Sequence, residues 1–163
     1  MPLIIDADGL FLLTSDASII HNYPNVILTP NAMEFRRLFG DNPDKLKIII
    51  DKLGSHSTIL EKAALDKIYD TQEKVMITCA QGGSNRRCGG QGDILAGAVA
   101  IFFHWAIQSP QEKSPAAVAC YGASYLTKLC NKIAFHEKGR STTATDMIEK
   151  LHIAFRTFER ENC

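Results

Sequence analysis

The sequence predicts an α/β fold: one mostly parallel sheet with helices on both faces. Three observations carry that prediction. In the first half, short apolar runs of strand length alternate with segments of helical spacing. In the second half helices dominate. The opening run "LII" ends in Asp and Gly, the pattern of a buried parallel strand whose carboxyl end meets a site. The length of 163 residues suits a single domain, 1–163, with a real core.

The elements follow in order. Leu3 to Ile5 reads as a strand, and "DADG" turns the chain into a short helix at Leu10 to Leu13. Thr14 or Ser15 is expected to cap a further turn through "SDASII". Asn25 to Leu28 is the second strand. Thr29 as N-cap and Pro30 in the first turn then start the helix "AMEFRRLF", which Gly40 ends. Pro43 to Leu53 is helical, with Leu46, Ile49, Ile50 and Leu53 on one face. Ser57 to Glu61 is a strand, and Lys67 to Tyr69 pairs with Val75 to Thr78 in a hairpin about "DTQE". A glycine-rich loop, Gly82 to Gly92, precedes a helix from Asp93 to Gln108 that is apolar on nearly every side and is therefore expected to be buried. A long helix runs from Ser114 or Pro115 to about His136, and Gly139 to Thr143 is a loop. A closing amphipathic helix follows from Thr145 to about Glu159, with Met147, Leu151, Phe155 and Phe158 inward.

The composition narrows the function. Eighteen basic residues balance eighteen acidic ones, so no overall field recruits nucleic acid or an anionic membrane, and any anion is bound by local geometry. No run approaches the ~20 apolar residues of a membrane span, and the opening carries no signal-peptide pattern. The cysteines are Cys79, Cys88, Cys120, Cys130 and Cys163; an odd number without a CxxC pair reads as reduced thiols of a cytoplasmic protein. The histidines lack the spacing of a zinc site. A strand entered almost at Met1 suggests a copy of a larger fold without its N-terminal part. If so, a mitochondrial presequence could lie upstream and one sheet edge would be bare.

The stretch "RRCGGQGD" calls for a ligand. Glycines before a helix let an anion approach unpaired backbone amides, and Arg86 and Arg87 add donors suited to phosphate oxygens. Asp93 has two readings: a helix cap, or the base that takes the proton of a hydroxyl attacking a phosphoryl group. No GxxxxGK[ST] loop occurs. Asp6 and Asp8, at a strand end, either serve a site or cap a turn. His104 reads as a core or groove histidine and Cys88 as a small filler. Either Arg140 to Thr143 reach a phosphate or ribose, or Ser141 to Thr145 only cap the last helix.

The blocks "IIDADGL", "LTPNAMEF", "GGSNRRCGGQGDILAG" and "GRSTTATDMI", in this order, strongly resemble the ATP-dependent NAD(P)H-hydrate dehydratase family of the ribokinase-like superfamily. The resemblance covers nearly the whole chain. It implies a ribokinase-like sheet with its N-terminal strands missing, and the substrates ATP and hydrated NADH or NADPH. The implied chemistry is phosphorylation of the ring hydroxyl followed by phosphate elimination. It implies Asp93 as catalytic base, with Gly89, Gly90, Gln91 and Gly92 as the anion hole. Gly83, Ser84, Asn85, Arg86, Arg87 and Cys88 would line the ATP phosphates. Lys62, Ala63, Ala64, Leu65 and Asp66 match a nucleotide-contacting "KG…D" segment. Asn31, Ala32, Met33, Glu34, Phe35, Arg36 and Arg37 match the substrate-contacting segment. Glu34 would help hold Mg²⁺; without the resemblance it is simply an acid favouring a helix dipole. Ala63 stands where the family has Gly, and its Cβ would interfere if that position needs positive φ or close backbone approach. A vitamin or sugar kinase of the same superfamily, and a non-catalytic remnant that binds nucleotide or pairs with another chain through its exposed edge, as in a homo-oligomer, are the rival readings.

Overall fold

A computed structural model describes residues 1–109 and 113–162; Cys163 lies outside them. The sheet has five strands in the order β1 (Leu3–Ile5), β2 (Val26–Leu28), β3 (Ser57–Glu61), β4 (Lys67–Asp70), β5 (Val75–Thr78). The first three are parallel, with Leu3 beside Val26 and Val26 beside Ser57. Only β4 runs against them, as the inner strand of a hairpin that puts β5 at the far edge.

Side-chain alternation explains the two covering layers. Val26, Leu28, Ile59 and Tyr69 point to one face, where they pack on α1 (Asp8–Ser15), α2 (Ala32–Phe39) and α3 (Lys45–Leu53) through Leu10, Phe35 and Ile49. Ile27, Leu60 and Ile68 point to the other face, against α4 (Gln91–Ala106) and α5 (Pro115–Lys138) through Leu95, Val99, Phe103, Cys120 and Ala123. The last helix, α6 (Ala144–Asn162), closes on α5 through Met147 and Ala154, which meet Cys130 and Ala134. Helices α4 and α5 come close because a Cβ on Gly122 would lie 3.2 Å from the Phe102 ring.

Several local expectations are corrected. The N-cap of α2 is Asn31, not Thr29: its side chain accepts from the amides of Met33 and Glu34 while Glu34 returns a bond to the Asn31 amide. Thr29 is wholly buried instead, its hydroxyl without a partner among the described residues. Asp44 caps α3, so Pro43 stays outside it. Neither Thr14 nor Ser15 caps the turn at Ser18–Ile20: its N-cap is Ala17, and Asp16 just before it accepts from the Ser18 amide and hydroxyl. Helix α4 starts at Gln91, two residues before Asp93, because Gly90 adopts φ 85 and turns the chain into it. Nor is α4 buried all round. Ile101 and Trp105, one turn apart, are half exposed on a stripe that neither the sheet nor α5 covers.

Candidate active site

Parallel strands bring their carboxyl ends to one edge, and that edge carries the charged residues. Asp6 follows β1, Asn31 and Glu34 follow β2, and Lys62 follows β3, where a bridge between Asn31 and Lys62 prolongs the ladder. The Lys62 ammonium lies 2.8 Å from Asp6 Oδ1 and 3.8 Å from Glu34 Oε2. Glu34 Oε2 also accepts the Asn31 amide at 2.7 Å, so the helix-start reading of Glu34 and its place at the site hold together. The first turn of α4 abuts this cluster: a Cβ on Gly92 would sit 3.8 Å from both Asp6 Oδ2 and Lys62 Nζ. Asp6 thus joins the site, while Asp8 opens α1 and faces a separate hollow with Arg37.

Between the two lies a pocket of about 230 Å³ whose walls include Lys62, Ala63, Arg87, Cys88, Gln91, Gly92 and Leu95. The amides of a first helical turn have no partner within the helix, and they carry its positive end. The glycines divide by role. At Gly90 a Cβ would meet that of Ala144 at 2.9 Å on top of the positive φ, so this glycine is required by the fold. At Gly89 a Cβ would meet nothing within 4 Å, so packing within the chain does not require this glycine. Arg86 and Arg87 are exposed, and no ion pair engages either among the described residues. Asp93 is exposed in the first turn of α4. It follows Gly92 of the pocket wall and itself lines a second, apolar groove with Ile94, Gly97 and Phe155. Because Gly90 is the N-cap, the reading of Asp93 as a cap is overturned.

The turn 62–66 is built around a buried ion pair. Asp66 accepts the Ala63 amide at 2.7 Å, the Ser124 hydroxyl at 2.7 Å and the Lys128 ammonium at 2.9 Å. Lys128 also donates to the carbonyls of Ala63 and Ala64, each at 2.7 Å. Such pairing is what makes two buried charges tolerable. Ala63 does not have positive φ, so the backbone conflict expected of its Cβ does not arise. Ala64 and Leu65 form the exposed tip of the turn.

Other residues scatter. Within Asn31 to Arg37, only Asn31 and Glu34 turn to the site. Phe35 is core beneath Lys45, Arg36 pairs with Asp41 at 2.7 Å, and Ala32 and Met33 border a different hollow. Cys88 packs its sulfur 3.6 Å from that of Met147. His104 is exposed and bonded to Gln108, which corrects the core expectation. For Thr143 the capping alternative is realised, since it exchanges hydrogen bonds with Asp146 and so holds that carboxyl below its usual range. The sequence reading missed Ser124, Thr127, Lys128 and Asn131 on α5. Their signal was available as polar residues at spacings of three and four along a helix of small and apolar ones.

The pattern of the NAD(P)H-hydrate dehydratase family matches residues 1–152. The chain belongs to this family. It is 58% identical over 94% of its length to the ATP-dependent (S)-NAD(P)H-hydrate dehydratase of Aedes aegypti, covering 46% of that protein. To the proteins of that name from Drosophila melanogaster and Homo sapiens it is 48% and 38% identical, over 99% and 95% of the chain and 53% and 48% of theirs. This dehydratase-family chain therefore spans about half the length of the curated relatives it matches. Among solved structures, a ribokinase-like superfamily protein of Enterococcus faecalis superposes with TM-score 0.74 at 25% identity, over 97% of this chain and 53% of that one. Ribokinase of Giardia lamblia superposes with TM-score 0.59 at 18% identity, over 87% and 46%, and shares the fold alone. The fold is thus ribokinase-like, as expected.

Proposed function

We propose that this chain carries the ATP site and the phosphoryl-transfer centre of a hydrated NADH/NADPH repair reaction. The observation that carries the reading is the glycine-opened start of α4, which lines one pocket together with Lys62 and Arg87. An anion there meets helix amides, a guanidinium and an ammonium together. Asp93 sits one residue beyond Gly92, where it takes the proton of the ring hydroxyl as that oxygen bonds to the γ-phosphorus and ADP departs. Phosphate then leaves carbon with the C–O electrons, a ring proton is lost, and the double bond returns. The chemical gain is in the leaving group, since phosphate departs far more readily than hydroxide. Among the described residues no three His, Cys, Asp or Glu side chains form a metal cage. Mg²⁺ would be held by Glu34, with phosphates and water completing its shell, and would neutralise phosphate charge.

The test supplies hydrated NADH and ATP and follows the reduced-nicotinamide absorbance. Return of the band with release of phosphate is expected. A phosphorylated product without return of the band would favour the kinase reading.

A further inference from the structure

Two loops face each other across the pocket, and a single helix holds both. We infer that Asn131 of α5 is a positioning residue for the phosphate loop, setting its register against the start of α4, with Lys128 one turn earlier doing the same for the turn 62–66. The inference rests on the nucleotide reading of the pocket and adds residues outside the segments that carry the family resemblance.

The glycine loop 82–90 contains neither helix nor strand, and within it the Ser84 hydroxyl bonds the Arg86 amide and carbonyl, which does not tie residues 84–86 to the helices. Asn131, 1% exposed, supplies what is missing. Its Oδ1 accepts the Ser84 amide at 2.6 Å and its Nδ2 donates to the Arg86 carbonyl at 3.0 Å. Both ends of one rigid amide are thus used on alternate loop residues, which fixes position and direction together. The contact is close enough to dictate a neighbour: a Cβ on Gly83 would lie 2.9 Å from Asn131 Oδ1. Gly83 does not have positive φ, so its glycine is explained by this contact and not by backbone conformation. Lys128 and its bonds to Ala63, Ala64 and Asp66 tie down the opposite wall from the same helix face. The gap between the walls is therefore set by the spacing of two side chains on α5, one turn apart.

The test uses the full chain and two variants that disturb one contact from opposite sides. Asn131→Ala removes the anchor; Gly83→Ala leaves it in place and pushes the loop away. For each, affinity for ATP and for adenosine is measured by competition with a fluorescent ATP analogue, and backbone amide exchange is mapped. Both variants are expected to weaken ATP about tenfold, to change adenosine less than about twofold, and to speed exchange in 83–88 while leaving the strands protected. The double variant is expected to lose less than the sum, because truncating the Asn131 side chain makes room for a methyl group on Gly83. Equal losses for ATP and adenosine, or exchange raised throughout, would show a merely structural role and overturn the inference. Unchanged ATP affinity in Gly83→Ala would overturn it even if Asn131→Ala failed to fold. If the unaltered chain binds no ATP, the nucleotide reading fails, and unaltered exchange at 83–88 would then overturn the anchoring role separately.

Discussion

At the scale of single residues, the site separates groups that shape it from groups left free to act. Asp66, Lys128 and Asn131 have their polar atoms spent on other protein groups, whereas Arg86, Arg87 and Asp93 face outward. Replacing Asp93 by Asn is expected to lower turnover by about 10²–10⁴-fold while ATP affinity stays within about twofold, as steady-state rates and direct titration of ATP would show. The change is confined to one exposed side chain and leaves the backbone amides at the start of α4 untouched. Gly90→Ala should cost about 1–2 kcal/mol in denaturant unfolding, through its left-handed backbone and the contact with Ala144. Gly89→Ala, which meets nothing, should leave stability within about 0.5 kcal/mol.

At the scale of elements, α5 does the most. It supplies core to α4 and α6, pairs Lys128 with Asp66, and buries Cys120 and Cys130. Burial pushes the Cys130 thiol up from its ordinary value of 9.0 to about 12. Cys120 is raised as well, by burial first and then by the charge of Asp70. Below pH ~9 these thiols are protonated both folded and unfolded and contribute nothing to pH dependence. Above it only the unfolded chain ionises. Their linkage therefore predicts a stability that declines from pH ~9 towards ~12, measurable as a falling denaturation midpoint, with a shallower decline in Cys130→Ala. For the same reason Cys88, at the pocket, should react with a thiol reagent well before Cys120 or Cys130 in the folded chain.

At the scale of the whole molecule, two layers cover the sheet, and the covering is uneven. Trp105, the single tryptophan, is 51% exposed among Phe102, Phe155 and Ile101, and Ile148 is exposed beside them on α6. Its emission should therefore be that of a solvent-touched indole, readily quenched by acrylamide at low concentration; a blue, unquenched spectrum would mean that this face is covered in solution. No helix among the described residues is long and apolar enough to cross a membrane.

How much of this was legible in the residues follows from the range of each interaction. Strand runs, helix order and the glycine loop are written in local periodicity and in residue types whose backbone preferences act over a few positions, so the sequence by itself determined the α/β class and the phosphate-loop candidate. Boundaries moved by a residue or two where a neighbouring cap competed, as Asn31 did with Thr29. Only the tertiary structure decided that Asp6, Glu34 and Lys62 meet, that Ala63 is compatible with its turn, and that Asn131 and Lys128 brace opposite walls of the pocket. Those contacts join residues far apart along the chain, and what brings them together is the parallel register of three strands and the packing of α5 on one face of the sheet.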